Sequence, residues 1–286
     1  MSDERLPVKR TAKLFIGGAF PRSESGRTYD VLGADGSWLA NAARASRKDA
    51  RDAVTAARAA QPGWAAKTPY TRGQILYRVA ELLEGRRAQF EDELGSGGAA
   101  DPAREVSASI DRWVWYAGWA DKVAQVAGGT NPVAGRYFNF TVPEPTGVVA
   151  VVAPAAPALL GLVGRLAPAI VTGNTVVALA GEPNPIPAVS LAEVLATSDV
   201  PGGVVNLLTG SPAELVPWLA GHMDVNAIDL TGCPAELLTE AERAAAENVK
   251  RVHRAHGADV FSAAAQDLSE ITALMEFKTV WHPIGA

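Results

Sequence analysis

The chain of 286 residues carries one cysteine, Cys233. A single thiol excludes an internal disulfide framework and a cysteine-rich metal site, and it fits a reducing compartment. The opening MSDERLPVKR has charges of both signs and no apolar segment of the kind a secretory signal needs, so a cytoplasmic location is expected. Long apolar runs are also missing. The longest, over residues 148–170, is interrupted by Pro154, Pro157, Pro168 and Arg165, which argues against a membrane span. There is no basic block: 26 Lys and Arg against 31 Asp and Glu leave a net charge of −5 spread along the chain, so nucleic acid is not an expected partner. Histidine is scarce as well. Of the 4, only His253 and His256 are spaced to share a helix face, and Asp259 alone stands near enough to join them, so no metal site is expected. Internal repeats and low-complexity linkers are absent.

What is present is core material. With 48% hydrophobic and 20% charged residues, a chain of this length buries a substantial interior. Its centre is residues 147–182. Residues 147–153 are apolar on both faces and rich in β-branched side chains, the pattern of a buried parallel strand. Pro154 and Pro157 stop that strand. Residues 159–170 are apolar at nearly every position, which suits a helix buried against a sheet. Gly173-Asn174 then turns the chain into a second strand over 175–179. Strand–helix–strand units cross over right-handed and bind ligands at the carboxyl ends of their strands. Those ends are residues 153–156 and 179–182.

PTGVVAVVAPAAPA (145–158) and RLAPAIVTGNTVVALAGE (165–182) resemble the aldehyde dehydrogenase superfamily, whose segments read close to P-x-G-V-V-x-V-I-x-P-W-N-F-P and L-A-P-A-L-A-x-G-N-T-V-V-x-K-P-A-E. The similarity extends to KLFIGGAFPRSESGRTY (13–29), to residues 45–84, to VPGGVVNLLTG (200–210), DVNAIDLTG (224–232) and FKTVWHPIG (277–285), and so covers nearly the whole chain. The resemblance implies an α/β fold: a doubly wound, Rossmann-like parallel sheet of the nucleotide-binding domain plus a small β oligomerisation element. Four segments follow from it: N-terminal hairpins and helices over 1–127, an oligomerisation hairpin over 128–146, the Rossmann-like core over 147–262, and a C-terminal helix and strand over 263–286.

The departures from the family pattern fall on its chemistry. The family's catalytic Asn position falls at Ala156, and the Glu of its general-base motif, expected after NVKRV (248–252), falls at Ala255. After Asp259 the chain passes through about one helix into the C-terminal strand, with no large catalytic domain and no nucleophilic cysteine. The cofactor-binding positions implied by the resemblance are Ala153, Pro154, Leu179, Glu182, Gly210, Thr231, Gly232 and Cys233. The family's ribose-binding Lys is replaced at Leu179, so the NAD or NADP site it implies is expected to be weak or absent. Cys233, in LTGCPAE, lies in the turn facing the cofactor phosphates; it reads as a small turn residue, or as a thiol activated by a helix start. Glu182 matches the family's adenosine-ribose Glu, and is read equally as a solvated loop carboxylate. Arg165, at a family Lys position, is expected to snorkel to the surface.

Along the remaining chain, residues 13–29 read as a hairpin and 31–45 as an irregular strand pair. Ser46 caps a helix with Asp49 completing a capping box, and that helix is expected to end before Pro62-Gly63. Thr71 caps the next, with the stripe Ile75, Leu76, Val79, Leu82 and Leu83. Pro102 starts a helix to about Val126 bearing Trp113, Trp115, Tyr116 and Trp119, read as packing residues rather than a stacking platform. Residues 137–143 alternate aromatic and polar, as in a half-exposed strand that needs a partner. Helices over 188–196, 214–219 and 234–248 alternate with strands over 204–208 and 227–230, which is the doubly wound order.

Taken together, these readings point to a catalytically incomplete aldehyde dehydrogenase relative, a structural or regulatory subunit paired with a full-length active aldehyde dehydrogenase. Two alternatives stand beside it: a self-associating NAD(P)-binding regulator, and an active aldehyde oxidoreductase using Cys233.

Overall fold

The computed structural model describes residues 10–255 and 257–285. β1 (Thr11–Ala12), β2 (Thr28–Leu32) and β3 (Trp38–Ala43) form a small sheet in the order β1-β3-β2. The hairpin expected over 13–29 shrinks to a tight turn, in which Gly17 and Gly18 take positive φ and a lone bridge joins Ile16 to Ala19. Phe15 instead pairs with Leu207, because its backbone completes the edge of the central sheet.

α1 (Arg47–Ala65) starts at the expected capping box: Ser46 Oγ accepts from the Asp49 amide at 3.3 Å, and Asp49 Oδ2 accepts from the Ser46 amide at 2.8 Å. It does not stop before Pro62. Proline removes only one late backbone bond there, and Trp64, 1% exposed, anchors the last turn by donating from Nε1 to Ile170 O. α2 (Pro69–Gly85) is capped by Thr68 rather than Thr71; Pro69 fits the first helical position, where no amide is needed. α3 (Arg87–Ser96) precedes α4 (Pro102–Trp119), and the single helix expected over 102–126 breaks at 120–122 before α5 (Val123–Ala127). Trp113 and Tyr116 are fully buried, as packing residues should be, with Trp115 edge-on to Tyr116 at 4.8 Å.

β4 (Gly129–Thr130) and β5 (Tyr137–Pro145) open the second half. There follow β6 (Val148–Val152), α6 (Ala158–Val171), β7 (Thr175–Leu179), α7 (Ile186–Thr197), β8 (Val205–Leu208), α8 (Pro212–Gly221), β9 (Ala227–Asp229), α9 (Ala235–Ala246), β10 (Arg251–His253), a short 3-10 turn (Ala263–Ala265), α10 (Leu268–Thr272) and β11 (Met275–Pro283). The central sheet is entirely parallel, in the order β10-β9-β6-β7-β8. The fold is therefore α/β and doubly wound, with a separate antiparallel sheet β11-β5-β4.

Alternation along each strand divides the core. Val149, Val151, Val176 and Ala178 face α2, α4, α6 and α7, while Val148, Ala150, Val152, Val177 and Leu179 face α1, α8 and α9. Covered on both sides, such strands must be apolar at every position. Among the described residues no helix is long and apolar enough to cross a membrane.

Candidate functional site

In the order β10-β9-β6-β7-β8 the chain runs outward from β6 to β7 and β8, then returns across the sheet to β9 on the other side of β6, so the crevice lies between the carboxyl ends of β6 and β9. There the two loops touch. The Gly232 amide donates to Val152 O at 2.9 Å, and a Cβ on Gly232 would lie 2.2 Å from Ala153 C and O. Gly181 approaches the same loop, since a Cβ there would meet Ala155 Cα at 2.8 Å. Glycine at both positions lets the backbones close together.

Beside this contact is a cleft of about 520 Å³, lined by Pro154, Ala156, Arg165, Thr231, Ala255, Ser269 and Glu270 among others. Arg165 does not reach the surface. It is 6% exposed, because Glu270 from α10 and Asp229 from β9 hold it inside. Its Nη1 donates to Glu270 Oε2, lies 3.6 Å from Asp229 Oδ2 and 3.4 Å from His253 Nε2. His253 Nε2 is 2.8 Å from the same Glu270 oxygen; since a carboxylate only accepts, the imidazole donates. Burial pushes the Glu270 carboxyl up, but the His253 hydrogen bond and the Arg165 charge outweigh it and hold the group at about 2. For Arg165 the penalty of burial is likewise outweighed by Asp229 and Glu270, which raise its pKa.

A second buried arginine fixes the roof. Arg112, 2% exposed, donates from Nη1 to Ala265 O at 2.7 Å and from Nη2 to Val260 O at 2.9 Å. Arg104 lies 4.4 Å over the Phe261 ring. The floor is fixed by Glu105, whose Oε1 accepts from the amides of Leu159 at 2.7 Å and Leu160 at 3.3 Å. A carboxylate thus occupies the start of α6, where orphan amides and the helix dipole favour negative charge. Burial raises the Glu105 carboxyl pKa against the effect of those two amides.

The positions singled out in the sequence lie along one edge but do not converge. Ala156 and Ala255 face the cleft together, and Pro154 and Thr231 line it with them. Thr231 Oγ1 accepts from the Ala255 amide at 2.8 Å and donates to Asp229 Oδ1. Cys233 opens instead into a neighbouring depression with Thr231, Leu238 and Val252. Its thiol pKa is raised, chiefly by burial and further by Glu236 and Glu242, the reverse of activation by a helix start. Leu179 is 1% exposed and packs into the core shared with α1 and α8. Ala153 is also buried, Glu182 is half-buried with its carbonyl accepting from Tyr29 Oη at 3.3 Å, and Gly210, at φ 132°, lies against the Ala45 backbone. His253 is committed to Glu270, and His256 lies outside the described residues. Among the described residues no cluster of three metal-ligating side chains forms.

Glu270, which lines the cleft, and Glu105 and Arg112, which tie down the segments around it, are residues that sequence reasoning misses. For two of them a signal exists: Glu105, Val106, Ser109, Arg112, Trp113 and Tyr116 form one buried helical stripe of α4, so charges recur on an otherwise packing face. For Glu270 there is none, since its partner Arg165 is 105 residues away.

Comparison with known proteins agrees with this architecture. Residues 20–274 match the model of the aldehyde dehydrogenase family. The putative aldehyde dehydrogenase DhaS of Bacillus subtilis is 33% identical over 252 residues, covering 86% of this chain and 50% of that relative. Among solved structures, HpcC from Thermus thermophilus is similar at a TM-score of 0.80 and 32% identity, covering 86% of this chain and 48% of that one. The NAD+ complex of an aldehyde dehydrogenase from Bacillus cereus is similar at 0.77 and 27%, covering 85% and 50%. The chain spans about half the length of the relatives it matches. A match over most of its residues, with the same fold beneath it, places this chain in the aldehyde dehydrogenase family.

Proposed function

We propose that the chain is a catalytically silent aldehyde dehydrogenase-family protein that serves as a structural or regulatory subunit of an active, NAD(P)-dependent aldehyde dehydrogenase. One observation carries the silent half of this reading. At the cleft of the sheet, the positions that resemble the family's Asn and Glu present the methyl groups of Ala156 and Ala255. Aldehyde oxidation needs a thiolate, an oxyanion donor and a base for deacylation. A methyl group neither donates nor takes a proton, and the one thiol, Cys233, opens into a different depression with its pKa raised.

NAD or NADP fits this edge poorly. Leu179 offers no donor to a ribose hydroxyl, and Glu105 already occupies the first amides of α6. Loss of one such hydrogen bond costs about 1.5–3 kcal/mol. Calorimetry with NAD and NADP is expected to give no binding heat below about 1 mM ligand, since that loss weakens the Kd by a factor of roughly 10–100 or more. A micromolar Kd would instead favour a nucleotide-binding regulator.

The subunit half is supported by the antiparallel sheet. β11 pairs with β5 over nine residue positions, Met275 with Pro145 through Pro283 with Tyr137. On its other side β5 is met by β4 only at Thr141 and Phe140, so the longer uninterrupted edge left for another chain is that of β11. Around it Tyr137, Phe138, Phe277, Val280 and Trp281 are exposed, Trp281 by 56%, an aggregation hazard unless covered. A tagged pull-down from the native host followed by native mass measurement tests this. A stoichiometric aldehyde dehydrogenase is expected, and Trp281→Glu is expected to reduce its capture at least about tenfold, as loss of an aromatic anchor does. A homo-oligomer with no companion would overturn the subunit reading.

A further inference from the structure

A second cavity, of about 350 Å³, lies at the opposite end of α6 from the crevice, where the chain passes from α1 to α2 and β5 runs toward β6. Arg72 of α2 lines it and is 7% exposed. Its Nε donates to Val171 O at 2.9 Å, and its Nη1 to Ala65 O at 3.2 Å and Lys67 O at 2.6 Å. Val171 and Ala65 end α6 and α1, so one cation caps two helices. These bonds do not use the whole guanidinium. Among the described residues Nη2 has no hydrogen-bond partner, and it is not one of the unpartnered atoms sealed from solvent.

Charge and shape select the ligand. The three carbonyls satisfy N–H groups but bring no net charge to Arg72. Burial lowers its pKa, and no neighbouring acid raises it. Lys67 lines the same cavity, and no Asp or Glu does. The acids next to the lining are already matched: Asp121 with Lys122, Glu144 with Lys278, and Glu276 with Arg251. Two cations therefore share the cavity without a counter-charge. A buried cation left unpaired is costly, and an anion seated against it offsets that cost through charge-assisted hydrogen bonds. The remaining walls include Val123, Pro143, Pro145 and Met275, so the anion that fits carries a hydrocarbon body. The volume restricts that body to a short chain.

We propose that this cavity binds a small monocarboxylate with a short hydrocarbon chain, its carboxylate held by Arg72 Nη2 and Lys67 Nζ and its chain laid against Val123, Pro143 and Pro145. Such a site needs neither NAD nor a subunit partner. Ligand-observed NMR titration of the full chain with pentanoate, pentanamide, acetate and inorganic phosphate tests it. Pentanoate is expected to bind about tenfold tighter than pentanamide, which has the same shape without the charge. It should bind at least about fivefold tighter than acetate, which lacks the chain, and tighter than phosphate, which has no apolar body. Lys67→Met is the variant to use, because Arg72 is tied to the ends of two helices while Lys67 lends them only its backbone carbonyl. It is expected to weaken pentanoate binding about tenfold with Tm unchanged. Equal affinity for pentanoate and pentanamide, acetate or phosphate binding as tight as pentanoate, no saturable pentanoate binding, or pentanoate affinity unchanged in Lys67→Met would each overturn the assignment.

Discussion

Arg165→Met is expected to destabilise the protein by about 4 kcal/mol, because it leaves Glu270 and Asp229 in the interior without their cation. Methionine keeps most of the volume, so the loss reports charge rather than a cavity. Urea unfolding at pH 7 measures it. The pH dependence identifies the source. In the folded state Glu270 sits at about 2, well below its value in an unfolded chain. Its contribution is thus fully present above about pH 4.5 and is lost as pH falls toward 2. In the variant only His253 is left to hold Glu270 down, so less of this contribution remains to be lost and the gap between the two proteins should narrow as pH falls from about 5 to about 3. A gap that stays constant would place the loss in packing. Adding Glu270→Gln to Arg165→Met should recover part of the stability, because removing the orphaned charge is less costly than burying it.

That cluster also marks the limit of sequence reading. The five central strands have unequal visibility for a physical reason. β6 and β7 are buried on both faces, so each reads as an uninterrupted apolar run, and their bounds follow closely from the residues. β10 is three residues of Arg-Val-His at the sheet edge, with neither length nor pattern, and only its pairing with β9 makes it a strand. The capping box of Ser46 and Asp49 is local and therefore legible. The continuation of α1 through Pro62 is not, because it depends on Trp64 reaching Ile170 far along the chain. The same holds for Arg165. An arginine inside an apolar helix reads as a snorkelling side chain until α10 brings Glu270 to it, and only the assembled fold supplies that carboxylate. The positions of Ala156 and Ala255 are legible through family resemblance, but that they share one cleft with Arg165 and Glu270 is a fact of tertiary structure.

The contact that brings the two sides of this cleft together is itself open to test. Gly232→Ala places a methyl group 2.2 Å from the Ala153 carbonyl and 2.3 Å from Pro154 N, and all of these are backbone atoms that no rotamer change can move. The β6 and β9 loops must separate, breaking the bond from the Gly232 amide to Val152 O. Overpacking against backbone together with a lost buried hydrogen bond is expected to cost about 3 kcal/mol or more. Calorimetric scanning should register this as a fall in Tm of roughly 10 °C, given the size of the chain. Gly63→Ala is the matched control. A Cβ at Gly63 meets nothing within 4 Å, and the position lies inside α1, so alanine there should be neutral or stabilising by up to about 1 kcal/mol. Opposite signs for two Gly-to-Ala changes would tie the effect at Gly232 to the approach of the two loops. If Gly232→Ala were tolerated as well as Gly63→Ala, the loops would not be in contact as described. The crevice would then be wider than its 520 Å³, and the pairing of Arg165 with Glu270 would have to hold the cleft alone.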